Sequence, residues 1–269
     1  MLKFSIRENM LPAQSLAEKF RDAKQMGLNG IEITDSSWPE YLDDIRKVSQ
    51  ATGICPNIIS HRAGGCFLDA DRAERERAVN GLKQSLQMCG ELGGVGVIIV
   101  PLLPVRMQGR PRIPDLSPWK TTPEIEQELF VEILRGVAPF AANVGANVII
   151  EPLNRYEQFW PNRVEQGVQI CEAVGSPNVG TMADFFHMNI EDADFAAAIR
   201  TGGKWLRNIH LADSQRLLPG YGHTEFGPGL KAIQDIGYDY YCGFECGLLG
   251  DPFVEVPKSI EYIRNQLPA

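Results

Sequence analysis

Glu151, Asp184, His210 and Glu245 each stand at or near the carboxyl end of a short apolar run with strand character: NVIIE, NVGTMAD, LRNIH and YCGFE. A charged or imidazole side chain in that place is where catalytic groups sit in a parallel α/β barrel. The four are separated by about one strand-helix repeat each. That spacing assigns them to consecutive strands and rings them around one barrel mouth. Taken singly, any of them reads equally well as a helix cap or a salt-bridge partner; four in register are hard to attribute to capping. Carboxylates gathered so closely repel, and a divalent cation is the usual compensation. An oxygen-rich set with one nitrogen suits Mn2+ foremost, with Co2+ or Mg2+ as alternatives, more than structural zinc, which favours thiolate and imidazole. Cys246 adjoins Glu245, but neighbouring strand residues face opposite ways, so this thiol is expected to pack against the outer helices.

Further polar residues have two readings each. His187 follows Asp184 in DFFHMN, either as a solvated loop histidine or as a donor to a substrate oxygen beside the cation. Arg216 in HLADSQRLLPG and Glu157 in EPLNRYEQFW read on their own as surface charges, Glu157 pairing with Arg155. His61 closes the apolar run IISH and points to the same mouth if a barrel forms; a core or loop histidine is the competing reading. His223 in PGYGH carries the weakest signal of this kind.

Such residues need strands to hold them. Candidate strands are 2–6, 30–34, 54–60, 95–101, 147–152, 178–184, 206–211 and 241–246, several almost wholly apolar, as strands buried on both faces must be. Between them lie helical patterns: Val79, Leu82, Leu86 and Cys89 in 72–91, and Ile125, Leu129, Ile133, Val137, Phe140 and Val144 in 125–144. Gly27, Gly53, Gly145 and Gly175 follow helical segments where a left-handed residue is needed. Asp71 and Thr122 are candidate N-caps, with Pro123 at the first helical position. Strands alternating with helices predict an α/β fold, a single (β/α)8 TIM barrel. A doubly wound open sheet shares the alternation, and the strand count decides against it. GGVG at 93–96 precedes a strand instead of joining strand to helix, so a dinucleotide loop is not indicated. Residues 102–121, LLPVRMQGRPRIPDLSPWKT, are proline-rich and without period, too long for a routine connection. They are read as a lid over the strand ends, in which Arg106, Arg110, Arg112 and Trp119 suit a polar ligand; a disordered insertion is the alternative.

The chain has 269 residues, 44% hydrophobic and 22% charged, which suits one barrel domain of roughly 250 residues. No linker-like stretch divides it, so residues 1–269 are read as one domain. A net charge of −8 argues against a nucleic-acid surface, which works by neutralising phosphates. No apolar stretch approaches the roughly 20 residues of a membrane helix, and MLKFSIREN lacks the pattern of a signal peptide. Cys55, Cys66, Cys89, Cys171, Cys242 and Cys246 are scattered without CxxC pairs and read as free thiols in a reducing cytoplasm.

The segments EPLNRYEQ (151–158), DFFHMNIED (184–192), HLADSQRLLPGYGH (210–223) and GFEC (243–246) resemble the sugar isomerase/epimerase TIM-barrel superfamily, the xylose isomerase-like barrels. In motif they are most similar to the D-tagatose/D-psicose 3-epimerases and hydroxypyruvate isomerases. The resemblance is strong over 151–246 and diffuse before it. It implies that Glu151, Asp184, His210 and Glu245 bind the metal, that Glu151 and Glu245 also transfer protons, and that His187, Arg216 and Glu157 contact a small sugar. It also implies a homodimer or homotetramer.

A metal holding a ketose by its carbonyl and adjacent hydroxyl acidifies the intervening C–H by stabilising an enediolate. Two carboxylates flanking that carbon can serve as base and acid. Action on one carbon is epimerisation, and transfer between neighbouring carbons is isomerisation. A leaving group β to the carbanion gives instead a lyase or dehydratase, acting on an inosose or keto-glycoside. The leading expectation is a ketose epimerase or isomerase working through a cis-enediolate. A metal-dependent endonuclease of the related abasic-site family is disfavoured by the four histidines and the negative charge. A non-catalytic sugar binder is disfavoured because both glutamates are present.

Overall fold

Eight apolar runs become β1 (Lys3–Arg7), β2 (Gly30–Ile33), β3 (Cys55–Ser60), β4 (Gly96–Ile99), β5 (Asn147–Ile150), β6 (Val179–Asp184), β7 (Leu206–Leu211) and β8 (Tyr241–Phe244). They pair in sequence order, all parallel, and β8 returns to β1 to close the barrel. The computed structural model describes residues 2–34, 38–60 and 64–267. The expected strands are all present, and their ends differ by no more than two residues.

Ten helices among the described residues cover the sheet: α1 (Leu16–Gln25), α2 (Leu42–Thr52), α3 (Arg72–Glu91), α4 (Leu103–Gln108), α5 (Thr122–Val144), α6 (Val164–Val174), α7 (Phe185–Glu191), α8 (Phe195–Gly202), α9 (Phe226–Asp235) and α10 (Pro252–Asn265). None is long and apolar enough to cross a membrane. Gly27, Gly53, Gly145 and Gly175 end their helices with φ between 71° and 79°, a backbone region in which a Cβ is strained. Asp71 caps α3 by accepting from the Ala73 N–H at 2.9 Å. The cap of α5 is Thr121, not Thr122: Glu124 reaches back to the Thr121 N–H at 2.8 Å, which places Pro123 second in the helix. All six cysteines are free.

Side chains alternate across a strand, and this parity positions the site. Ile58, Ile98, Ile149 and Met182 form a small apolar cluster apart from the large core between strands and helices. Two residues further along, Ile149 leads to Glu151 and Met182 to Asp184. Asn208 leads likewise to His210, and Gly243 to Glu245. Register sets Asp184 beside His210, and His210 beside Gly243, two residues before Glu245.

Residues 102–121 are not the aperiodic segment the sequence suggested. They contain α4 and bury Leu102, Val105 and Ile113. The arginines expected to suit a ligand make contacts within the fold. Arg110 Nε donates to Asp69 at 2.7 Å, Arg112 forks onto the buried Glu126 at 2.8 and 2.9 Å, and Arg106 and Arg112 both lie over the Phe159 ring.

Candidate metal centre

At the carboxyl ends of β5 to β8, Glu151, Asp184, His210 and Glu245 each offer one donor atom, and these atoms lie within 4.8 Å of one another. All four residues are buried. His210 Nδ1 stands 3.6 Å from Glu151 Oε1, 3.4 Å from Asp184 Oδ2 and 2.7 Å from Glu245 Oε2. The shortest of these has the distance of a hydrogen bond but not its direction. Each of the four atoms is therefore a buried polar atom without a hydrogen-bond partner. Orphaned buried polar atoms are costly, and four that face one another fit a divalent cation. Three oxygens and one nitrogen suit the harder divalent ions.

The second oxygens of Asp184 and Glu245 are committed elsewhere, which aims their partner oxygens inward. Asp184 caps α7, its Oδ1 accepting from the N–H groups of Phe186 at 2.7 Å and His187 at 3.2 Å. Glu245 Oε1 faces two guanidiniums, in an ion pair with Arg7 Nη1 and 3.5 Å from Arg216 Nη2. Against the cost of burial, the His210 imidazole and then Arg7 hold the Glu245 carboxyl well below the usual carboxylate range. Burial also opposes ionisation of Asp184, yet His187 and His210 pull its carboxyl below the ordinary value. His210 shows the converse: burial lowers it, but Glu32 and Glu245 outweigh burial and raise it well above an ordinary histidine.

A chain of contacts joins His187, Glu157 and Arg216 to this ring. His187 is buried, with Nδ1 3.1 Å from the Asn154 backbone nitrogen and Nε2 unpartnered, 3.9 Å from Asp184 Oδ2. Asn154 Nδ2 donates to Glu157 Oε1 at 2.9 Å, and Arg216 Nη1 donates to the same oxygen at 3.0 Å. Glu157 thus pairs with Arg216, whereas Arg155 forks onto Glu191, correcting the Glu157–Arg155 pairing expected from sequence. Arg216 lies over the Phe186 ring with φ of 59°, the sole non-glycine residue at positive φ among those described. The turn that bends it is built on Asp213, whose carboxylate accepts from the N–H groups of Ser214, Gly220, Gly222 and Thr224.

Trp119 is not part of this assembly. It is 69% exposed in a turn closed by Leu116 and Lys120, with its ring beside Lys120. His61 lies outside the described residues. His223 is exposed and contacts Ser214, 3.0 Å from Nδ1 to the hydroxyl.

Sequence reasoning missed two residues. Glu32, fully buried on β2, places Oε2 3.0 Å from His210 Nε2, and Arg7 ends β1 against Glu245. The signal for Glu32 was a charge inside the apolar run GIEI. For Arg7 it was parity, since it stands two residues beyond Ser5.

A closed parallel barrel with a buried carboxylate-histidine ring at its strand ends defines a class of barrel proteins whose strand-end donors could hold a divalent cation. Within that class the chain belongs to the xylose isomerase-like TIM barrel family, whose model matches residues 20–266. It is 26% identical to a 3-dehydro-D-guloside 4-epimerase of Escherichia coli (strain K12), over 98% of this chain and 100% of that one. To a D-psicose 3-epimerase of Agrobacterium fabrum it is 43% identical, over 48% of this chain and 43% of the relative. The crystal structure of an apo 3-keto-D-glucoside 4-epimerase from E. coli superposes with a TM-score of 0.87 at 23% identity, covering 98% of this chain and 100% of that one. These relatives are epimerases, enzymes of the isomerase class.

Proposed function

We propose that this chain is a divalent-metal-dependent epimerase that inverts the carbon adjoining the carbonyl of a keto sugar, with Mn2+ as its ion. The observation that carries this reading is the convergence of four unpartnered donor atoms at one barrel mouth. The relatives support it from two directions. Position 3 of a 2-ketose and position 4 of a 3-keto sugar both adjoin the carbonyl, so the two kinds of relative share one reaction centre.

A bound divalent cation supplies Lewis-acid stabilisation of the negative charge that grows on the sugar oxygens as a proton leaves. Glu151 and Glu245, on β5 and β8, are the pair that moves the proton. One carboxylate accepts the hydrogen of the carbon beside the carbonyl, leaving a cis-enediolate; the other, protonated, delivers its proton to the opposite face. Each turnover exchanges their protonation states, so the reverse reaction uses the same two groups in exchanged roles. His187 Nε2 donates to a sugar oxygen near Asp184. Arg216, braced by Glu157, holds a second oxygen and keeps Glu245 Oε1 turned away from the ring.

The test is proton NMR in D2O with the Mn2+-loaded enzyme, on a panel of free 2-ketoses and 3-keto glycosides. Deuterium at one carbon beside the carbonyl, together with the epimer, is expected, and both should cease in chelator. A dehydrated product, or undiminished turnover after metal stripping, would overturn the reading. Whichever arm of the panel reacts names the substrate class.

A further inference from the structure

His210 has two ring nitrogens, and only Nδ1 faces the three carboxylate oxygens of the ring. Nε2 points the other way, into the barrel, where Glu32 Oε2 meets it at 3.0 Å. Both side chains are fully buried. Glu32 Oε1 in turn accepts from Asn208 Nδ2 at 3.2 Å, and Asn208 is the interior residue just below His210 on β7. The nearby strand β8, one beyond β1, leaves room for this carboxylate. A Cβ at Gly243 would stand 2.3 Å from Glu32 Oε1 and 3.0 Å from Ser5 Oγ, so a side chain there and Glu32 exclude each other.

From this geometry we infer that Glu32 is a positioning residue for the cation, acting through His210. This inference rests on the metal-dependent reading above. A carboxylate can only accept, so Nε2 keeps a hydrogen for Glu32, and when a cation occupies the ring it is Nδ1 that offers its lone pair. The bond also fixes the plane of the imidazole and makes Nδ1 a stronger donor, which is what an outer carboxylate does for a metal-binding histidine. A structural explanation accounts for less. Burying a carboxylate is expensive, and an apolar side chain of similar size would fill the same space at lower cost.

The test measures Mn2+ affinity by the EPR signal of the free ion, in the wild type and in Glu32→Gln. Glu32→Gln keeps the volume and removes the charge on the acceptor. Its Kd is expected to rise roughly 10- to 100-fold, the range found when such outer partners are removed. Glu32 Oε2 also lies 4.0 Å from Arg7 Nε, so the metal-free melting temperature falls as well, and the Kd is the deciding readout. An unchanged Kd with a lowered metal-free melting temperature would overturn the inference and leave Glu32 a packing residue. A wild type that binds no Mn2+ would instead overturn the metal reading itself. Should Glu32→Gln not fold, 15N NMR of wild-type histidines loaded with diamagnetic Mg2+ decides the matter. A hydrogen on Nε2 of His210 is expected, and a hydrogen on Nδ1 would overturn the inference.

Discussion

The Asn154 backbone N–H points at His187 Nδ1 from 3.1 Å, and because an N–H can only donate, Nδ1 is the bare nitrogen and Nε2 carries the hydrogen. Nε2 has no hydrogen-bond partner in the protein. A donor held in one tautomer, buried and unspent beside Asp184, suits a substrate oxygen.

His187→Phe keeps a flat ring and removes that donor. With one buried hydrogen bond worth about 1–3 kcal/mol when a partner is left unmade, kcat/KM is expected to fall roughly 10- to 100-fold. Mn2+ affinity should hardly move, because His187 lies outside the four-donor ring. Steady-state kinetics beside a metal titration checks this, and a parallel loss of metal would count against the role.

Glu151→Gln and Glu245→Gln each keep an oxygen for the cation but cannot accept the proton. General acid-base catalysis contributes roughly 10²- to 10⁴-fold, so deuterium wash-in from D2O should slow by at least that much in both. In Glu245→Gln, Arg7 and Arg216 also lose the carboxylate they share. Its melting temperature should therefore fall further than that of Glu151→Gln, as differential scanning fluorimetry would record.

Cation binding should also appear as stability. Three buried carboxylates face one another across the ring, and a ligand that binds only the folded state at 100 times its Kd adds about 2.7 kcal/mol. For a domain of this size that is about 5–10 °C in Tm. Scans with Mn2+, and then with excess chelator, should rise and fall by that amount. In Asp184→Asn the rise should be largely lost.

At the other end of α7 from Asp184, burial pushes the Asp192 carboxyl up to about 6, against the opposing pull of Arg163. Its folded value exceeds the unfolded one of about 4, so the folded state binds this proton more tightly. Its contribution to stability is full below about pH 4 and is lost as pH rises through about 6. Asp192→Asn should match the wild type near pH 4 and exceed it near pH 7. Urea denaturation at both pH values checks the sign, and equal stability at pH 7 would refute it.

Much of this was legible in the chain. A strand buried on both faces has to be apolar, so a charge or imidazole at its end stands out, and Glu151, Asp184, His210 and Glu245 could be read together from their shared place at four consecutive strand ends. Glu32 could not. Its partner lies 178 residues away, and a buried carboxylate is intelligible only once the imidazole that receives it is in place. The Arg7–Glu245 pair was hidden for the same reason. Residues 102–121 misled because α4 is too short to show a period, and because their arginines find carboxylates and an aromatic ring in other segments.

At the seam between β8 and β1, Lys3 lies against Tyr241, and the first and last strands meet. Contacts so distant along the chain close large loops, and such closures are the slow part of folding, whereas helices form locally and early. Arg7 on Glu245 and Glu32 on His210 both span most of the chain, so they belong to the closing events. A refolding chain should therefore regain its helical signal before it can retain an ion, and ion retention dates the moment at which the last strand is zipped to the first.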